Sequence, residues 1–249
     1  MPGEADARPV EQEPATGPEG AGVTALIGDL LPLGVGIAVS PVPVIAAILM
    51  LLAPQAGRTS VAFALGWVAG VTVLTVVAAA LAGAAEPDAD EQASTVGGWI
   101  KIVLGFLLLA LAWRQWSGRP RSGAAPADPP AWMAAVDKVT PGRALVLGAG
   151  LSAVNPKNLL LGLAAGAAVG QAAAAGTGVV LPVVVFVVVA SSTVAGPVVA
   201  YALAADRLRG PLAELQTWLQ ANNATVMSVL LLVLGVSVLG KGLGTVSGG

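Results

Sequence analysis

Long uncharged stretches of apolar residues follow one another along the chain. No charged residue occurs between Asp29 and Arg58, or between Arg58 and Glu86. Each stretch is longer than the roughly 20 residues with which a helix crosses the hydrocarbon core of a bilayer. A third apolar segment runs from about Trp99 to Trp116, and tryptophans at both ends are typical of membrane interfaces. The first half of the chain is therefore predicted to contain three membrane-spanning helices.

The second half of the chain shows three apolar segments again. Residues 118–142 form a polar connection rich in Pro and Gly, and a fourth span is predicted to begin directly after it. Residues 158–205 carry no charge, which leaves room for the end of that span, a turn and a complete fifth span. Residues 215–240 supply the sixth span.

These segments divide the chain into four parts. Residues 1–22 are rich in Glu, Pro, Gly and Ala and lack apolar periodicity, which predicts a disordered acidic tail. A first three-helix repeat is predicted at residues 23–117, a cytoplasmic loop at 118–142 and a second three-helix repeat at 143–246. The predicted fold is thus an all-α polytopic membrane protein with six transmembrane helices.

Composition supports this assignment and narrows the chemistry. The chain is 56% hydrophobic and 10% charged, whereas soluble domains carry about 25% charged residues. Cysteine and histidine are absent, which removes disulfides, thiolate metal sites, cysteine nucleophiles and imidazole bases. Few carboxylates lie near the spans, and no basic cluster suits a phosphate backbone. We therefore predict a protein that is not an enzyme, uses no cofactor or metal and binds no nucleic acid.

Lysine and arginine are distributed unevenly between the two ends of the predicted spans. Eight lie around the loops after spans one, three and five: Arg58, Arg114, Arg119, Arg121, Lys138, Arg143, Arg207 and Arg209. Three lie on the opposite side: Arg8, Lys101 and Lys241. Because cytoplasmic loops carry the excess of positive charge, both termini are predicted to be extracytoplasmic.

The two halves begin with similar segments. The sequence LGVGIAVSPVPV in the first half aligns with LGAGLSAVNPKN in the second, and a gap of one residue places Ser40-Pro41 opposite Asn155-Pro156. Three spans in each half would make the halves inverted relative to one another, as in many secondary transporters. We therefore predict an inverted 3+3 repeat in which helices 1 and 4 are broken at these dipeptides.

Both dipeptides have the chemistry of a helix start. A Ser or Asn side chain can accept a hydrogen bond from a free backbone N–H, and the proline that follows lacks an N–H that would have no partner. Two helix N-termini at membrane depth would then mark a transport site, since irregular backbone is tolerated there only beside protein or a water-filled cavity. The alternative is that both prolines produce ordinary kinks.

Lys157 is the most unusual residue of the predicted spans. It lies well beyond Arg143, at roughly 20 Å into the bilayer for a rise of about 1.5 Å per residue. A lysine at that depth costs about 2.5–3.5 kcal/mol, so a compensating interaction is expected. One interpretation is a cationic or proton-exchanging group beside Asn155 and Asn158, and the other is a side chain that snorkels to the headgroups.

Three consecutive hydroxyl residues, Ser191, Ser192 and Thr193, precede Gly196-Pro197 in the fifth span. Such side chains often bond to carbonyl groups of their own helix. The alternative is that they form a polar wall of the cavity beside Lys157.

The same segments resemble a known family. AVSPVPVIAAILMLL with GRTSVAFALGWVAG, and LSAVNPKNLLLGLAAG, are similar to spans of the glycopeptidolipid-addressing or sulfolipid-addressing (GAP, Sap) proteins, a branch of the lysine-exporter superfamily. The resemblance covers all six spans. Exporters of that superfamily usually carry Pro-Gly-Pro and Asn-Pro-Lys. The second motif is intact at Asn155, Pro156 and Lys157, whereas Pro41-Val42-Pro43 departs from the first and agrees better with the lipid-addressing branch.

This resemblance implies a bacterial plasma-membrane exporter of envelope lipids or glycolipids, with a lipid or small-molecule substrate and a possible homo-oligomer. Export of amino acids or small ions is the first alternative, and a non-transporting envelope scaffold is the second. The predicted substrate-binding residues are Ser40, Pro41, Pro43, Asn155, Pro156, Lys157, Asn158, Ser191, Ser192 and Thr193. A lipid exporter predicts a lateral opening with an apolar flank, an amino-acid exporter a closed polar cavity around Lys157, and a scaffold plain kinks.

Overall fold

The computed structural model of the chain describes residues 18–53, 56–84, 91–119 and 139–247. These residues form seven helices: α1 (Pro18–Ala38), α2 (Pro41–Leu52), α3 (Ala56–Ala84), α4 (Glu91–Ser117), α5 (Pro141–Val154), α6 (Pro156–Ala174) and α7 (Val180–Ser247). The described part of the chain contains no strand, which confirms the all-α prediction.

Several of these helices are long and apolar enough to cross a membrane. Within the described ranges α1, α3, α4 and α7 meet this condition alone, and α5 and α6 meet it as one bent pair, which gives up to five candidate spans. Large apolar side chains such as Leu81, Val103 and Val146 are strongly exposed on these helices. Extensive exposed apolar surface on long helices is what a bilayer accommodates. The chain is a multi-pass membrane protein.

The boundary of the N-terminal tail differs from the prediction. Helix α1 begins at Pro18, so residues 18–22 are helical although the composition predicted a tail up to residue 22. A proline is favoured at the first position of a helix, where its missing N–H is not needed. Residues 1–17 of the predicted tail and residues 120–138 of the predicted loop lie outside the described residues.

Helix α7 consists of two segments. Ala204 has non-helical backbone angles (φ −149, ψ 49) and separates residues 180–203 from residues 205–247. In the first segment Val189 packs on Gly34, and Thr193 bonds to Ala38. Residue numbers in α1 and in this segment therefore increase in the same direction, so the two helices are parallel.

The second segment of α7 runs in the opposite direction. A Cβ at Gly36 would lie 3.1 Å from a Leu234 methyl carbon, and Asp29 pairs with Lys241 at 3.3 Å. Residue numbers in α1 therefore rise as those in this segment fall. The chain reverses its direction between the two segments of α7, although the helical hydrogen bonding is nearly continuous.

Glycines let the helices of the two halves approach closely. A Cβ at Gly66 of α3 would overlap the carbonyl of Leu145 in α5, and a Cβ at Gly105 of α4 would lie 2.8 Å from the Cβ of Leu239 in α7. Membrane helices usually pack through small residues at such crossings, because in lipid there is no hydrophobic driving force for helix association. The tight contacts fix α3 against α5, and α4 against the second segment of α7.

The short helix α2 lies at the centre of the protein. Nine of its 12 residues are buried, and it has no exposed face. A helix that is apolar on all sides belongs in the interior. Because α2 is buried, the break between α1 and α2 is placed inside the protein, in contact with α6 and α7.

Candidate functional site at the two helix breaks

Both predicted breaks are present at the predicted prolines. Helix α1 ends at Ala38 and α2 begins at Pro41. Helix α5 ends at Val154 and α6 begins at Pro156, with the two axes bent by 73°. Each break therefore leaves two helix ends whose backbone groups lack helical hydrogen-bond partners.

Asn155 caps α6 as the sequence predicted. Its backbone is extended, and its Oδ1 accepts a hydrogen bond of 3.1 Å from the backbone N–H of Lys157. Pro156 occupies the first helical position, where the missing N–H leaves no unpaired donor. The start of α6 is therefore satisfied by its own cap.

Ser40 does not cap α2, and this part of the prediction was wrong. Its carbonyl accepts from Val44 N–H at 3.4 Å, but its Oγ makes no hydrogen bond although the side chain is buried. A Ser cap usually bonds to the third helical N–H, and here that position is Pro43, which has none. Pro41 and Pro43 together leave Val42 as the only free donor among the first three positions of α2.

The ammonium group of Lys157 bonds to the end of α1. Lys157 is only 2% exposed, and its Nζ donates to the carbonyl of Gly36 at 2.6 Å and to that of Val39 at 3.0 Å. These carbonyls lie at the C-terminal end of α1, where helical partners run out and where a cation is favourable. Lys157 therefore does not snorkel to the headgroups in this conformation.

Thr193 supplies a second donor to the same helix end. Its Oγ1 bonds to the carbonyl of Ala38 at 2.6 Å, and the backbone N–H of Ser40 reaches the same oxygen at 2.8 Å. Ser192 is exposed and bonds to Val189 of its own helix, as the simpler alternative predicted. Of the three hydroxyl residues, Thr193 is the one with a hydrogen bond across to α1.

Two further predicted residues are buried and unpaired. Asn158 is 0% exposed and Ser191 is 3% exposed, and neither the Asn158 amide nor the Ser191 hydroxyl has a hydrogen-bond partner. Burying such groups without a partner costs about 1–3 kcal/mol in protein mutational data. These side chains, like Ser40, are therefore satisfied poorly in the observed arrangement.

Carbonyl dipoles, and not a carboxylate, compensate the charge of Lys157. Within the described residues one salt bridge is present, between the exposed side chains of Lys241 and Asp29 at 3.3 Å. The same residues contain no cluster of three His, Cys, Asp or Glu side chains that could hold a metal ion. The two breaks thus combine the buried Lys157 side chain with two helix N-termini and two helix C-termini.

Of the predicted site residues, Lys157, Thr193 and the backbone next to Ser40 meet at the end of α1. Pro41 and Pro43 are buried in α2, whereas Pro156 is exposed and Asn155 is half-buried. The sequence did not identify Gly36 and Val39 as acceptors, because any residue type offers a backbone carbonyl. Trp67, which is outside the predicted site residues, is buried, and its indole N–H reaches the Ala190 carbonyl at 3.4 Å.

A separate apolar pocket lies away from the breaks. Its volume is about 620 Å³, and it lies between α3, α6 and the beginning of α7. Its lining consists of Thr75, Val76, Ala79, Ala80, Gly83, Val169, Gly170, Ala173, Ala174, Val179, Val180, Val183 and Val184. None of the predicted site residues contributes to it. Apolar residues of this kind resemble ordinary lipid-facing positions, so the pocket could not be predicted from the sequence.

Comparison with known proteins gives one match. The family model described as "Sap, sulfolipid-1-addressing protein" matches residues 30–244, which include both helix breaks and the pocket. No curated protein and no solved structure matches the chain. The match confirms the resemblance to the sulfolipid-addressing proteins, whereas the wider lysine-exporter superfamily stays a prediction.

Proposed function

The chain belongs to the Sap (sulfolipid-1-addressing protein) family, and on this premise we propose that it exports an envelope lipid or glycolipid. The observation that carries the proposal is the buried hydrogen bonding of Lys157 to the end of α1. It connects two broken helices through residues that are 118 and 121 positions apart in sequence. An ordinary kink needs no such connection.

The proposed architecture is six spans in an inverted 3+3 repeat. Helices α1 and α2 form span one, α5 and α6 form span four, and the two segments of α7 form spans five and six. The helix directions support this arrangement. The first segment of α7 is parallel to α1, as α3 is parallel to α5, where the neighbours of Gly66 and Gly70 are Leu145 and Ala149. An operation that exchanges the two halves of the chain maps the contact between α1 and the first segment of α7 onto the contact between α5 and α3.

The contact between α4 and the second segment of α7 supports the same symmetry. Gly105 meets Leu239, and Gly235 meets Leu109, so the two helices are antiparallel. Spans three and six of an inverted repeat must run in opposite directions. A contact between them lies on the symmetry axis and maps onto itself when the halves are exchanged.

In the proposed mechanism, the observed arrangement is a closed state held by Lys157. The ammonium lies between the C-terminal end of α1, which favours a cation, and the N-terminal end of α6, which disfavours one. Moving the start of α6 away from α1 would free Lys157, and the unpaired groups of Ser40, Asn158 and Ser191 would gain access to new partners. The poor satisfaction of these groups supports a second, more open arrangement.

A lipid is favoured over an amino acid as the substrate class. An amino-acid exporter would need a polar cavity around Lys157, whereas the 620 Å³ pocket has an apolar lining and lies elsewhere. The lining residues Val76, Val180 and Val184 are exposed, so the pocket opens toward the side of the helix bundle. An apolar pocket that opens toward lipid supports a lipid as the substrate class.

The proposed location is the bacterial plasma membrane, with both termini extracytoplasmic and residues 118–142 in the cytoplasm. Reporter fusions at residue 125 and at the C-terminus test this orientation. A cytoplasmic C-terminus would contradict both the charge count and the inverted repeat.

Surface lipid analysis of a deletion strain tests the export function. Cells lacking the protein should retain an envelope lipid inside the membrane that wild-type cells display, and a plasmid copy should restore its display. If the surface and total lipid compositions of the deletion strain equal those of the wild type, the proposed function is wrong.

A further inference from the structure

The apolar pocket between α3, α6 and α7, called the lateral groove below, has the shape of a chain-binding site. Its α3 lining extends from Thr75 to Gly83, or about 12 Å at a rise of about 1.5 Å per residue. The lining on α6 and α7 adds two further walls. A pocket with walls of this length can accommodate part of an extended chain.

The chemistry of the lateral groove excludes a polar ligand. Apart from Thr75, each lining residue is Val, Ala or Gly. The Thr75 hydroxyl bonds to the Val71 carbonyl of its own helix at 2.9 Å, so its hydrogen is not available to a ligand. A hydroxyl, amide or charge placed in the groove would lose its hydration without a partner, which is costly.

Close packing of small residues forms the floor of the lateral groove. A Cβ at Gly170 would lie 2.5 Å from the carbonyl of Ala79 and 3.0 Å from the backbone nitrogen of Gly83. Helices α3 and α6 thus touch at their backbones there, and short side chains leave the outer space unfilled. The groove lies beside this contact, where α3 and α6 end and α7 begins.

We infer that the lateral groove holds one acyl chain of a membrane lipid. The groove is continuous with the exposed apolar surface of α3 and α7, where Val77, Leu81 and Val188 would face the bilayer. Exposed apolar surface of this kind on a membrane-spanning helix is in contact with the hydrocarbon chains of lipids. An acyl chain can enter from the side without leaving its apolar surroundings.

The lateral groove is separate from the break at Lys157. Val169, the first lining residue on α6, lies about 18 Å along the helix from Lys157 at a rise of about 1.5 Å per residue. In the proposed mechanism, the groove binds the acyl chain, and the helix breaks control the change from the closed to the more open arrangement. That the bound chain belongs to the exported lipid rests on the proposed function.

Two matched pairs of valines allow a sharp test. Val76 lines the groove and Val77 does not, yet both are 51% exposed on the same helix. Val184 lines the groove and Val188 does not, at 52% and 62% exposure. An indole at Val76 or Val184 would fill the groove, whereas an indole at Val77 or Val188 would project from the apolar surface beside it.

The experiment uses the full chain in detergent micelles with a limiting amount of phosphatidylcholine that carries a diazirine near the end of one acyl chain. After illumination, the labelled residues are mapped by mass spectrometry. We expect label on residues 75–83 and 179–184, lost in Val76→Trp and Val184→Trp and retained in Val77→Trp and Val188→Trp. Equal labelling of all four variants, or label distributed over the exposed surface of α4, would overturn the inference. A crosslink between two copies at the groove would do so as well.

Export measured in the same variants separates this inference from the proposed function. If the groove is labelled and no lipid is exported even by the wild type, the proposed function fails and the groove assignment stands. If Val76→Trp loses the label but exports normally, the protein is still an exporter, and the proposed role of the groove in export is refuted.

Discussion

The two helix breaks have similar sequences but play opposite parts in one arrangement. At the α5–α6 break, Asn155 caps its own helix and Lys157 is directed to the other half of the protein. At the α1–α2 break, Ser40 caps nothing, and the last carbonyls of α1 receive donors from elsewhere. One break provides the donor and the other provides the acceptors. The comparison shows that a repeat in sequence need not give a repeat in role.

The difference follows from where the prolines lie. Pro41 and Pro43 remove two of the N–H groups that α2 would otherwise have to satisfy, so a cap at Ser40 has little to do. Prolines cannot help the end of α1, whose carbonyls still need donors. Lys157, Thr193 and the backbone N–H of Ser40 provide them. The second break therefore supplies a donor on which the first depends.

The largest effect is expected from removing the charge of Lys157. Lys157→Met leaves the buried carbonyl of Gly36 and the half-buried carbonyl of Val39 without this donor, at up to about 1–3 kcal/mol each. It also recovers the roughly 2.5–3.5 kcal/mol that a lysine costs inside a membrane. Because these terms oppose one another, we expect protein abundance to change little while export is abolished. Lys157→Arg should retain part of the export, since it keeps the charge and changes the geometry.

Lys241→Met is the matched control, because Lys241 lies on the surface in a weak, exposed ion pair. Export is measured as labelled lipid on the cell surface, normalised to protein level. Wild-type export by Lys157→Met would remove the lysine from the mechanism and favour the scaffold alternative.

The two capping positions should respond differently. Asn155→Ala removes a formed cap and is expected to cost about 1 kcal/mol of stability. Ser40→Ala removes a buried hydroxyl without a partner, so it should leave stability unchanged or raise it slightly. Thermal unfolding of both variants in the same detergent measures the difference. Equal destabilisation would show that Ser40 caps α2 after all.

A smaller contrast is expected between adjacent hydroxyl residues of α7. Thr193→Val keeps the shape but removes the donor to Ala38, at a cost of about 1 kcal/mol for one hydrogen bond. Ser192→Ala removes only an exposed bond within its own helix and should be close to neutral. The comparison uses the same unfolding assay. A neutral Thr193→Val would mean that its bond to α1 contributes nothing to holding the break.

The features of the fold and of the candidate site that depend on local chemistry could be predicted from the sequence. The breaks at Ser40-Pro41 and Asn155-Pro156 were predictable because prolines and caps act on their immediate neighbours. The burial of Lys157 was predictable as one of two alternatives, because its distance from Arg143 places it inside the bilayer. Its acceptors were not, since Gly36 and Val39 use backbone carbonyls and lie more than 100 residues away.

The remaining differences have the same physical origin. The lateral groove was not predictable because Val76 and Val77 are identical in type and exposure, and only the position of α6 and α7 distinguishes them. The reversal near Ala204, by contrast, was predicted, because the uncharged residues 158–205 end there and Arg207 and Arg209 follow. Apolar periodicity reports that a helix crosses the membrane, and it carries no information about which helix lies beside it.

A crosslink across the breaks tests the central claim most directly. The chain has no cysteine, so an added pair reports on one contact alone. A Cβ at Gly36 would lie 2.9 Å from a Leu161 methyl carbon, which makes Gly36→Cys with Leu161→Cys a pair that joins α1 to α6. Gly235→Cys with Leu109→Cys is the matched control, since it joins α4 to α7 at a similar distance and should not need to move.

Both pairs are oxidised in cells, and the appearance of labelled lipid on the surface is followed before and after reduction. If export requires α6 to leave the end of α1, the oxidised Gly36–Leu161 pair should stop it and reduction should restore it, while the control pair exports throughout. Undiminished export with the Gly36–Leu161 pair fully crosslinked would show that the two breaks do not separate, and it would contradict the proposed mechanism.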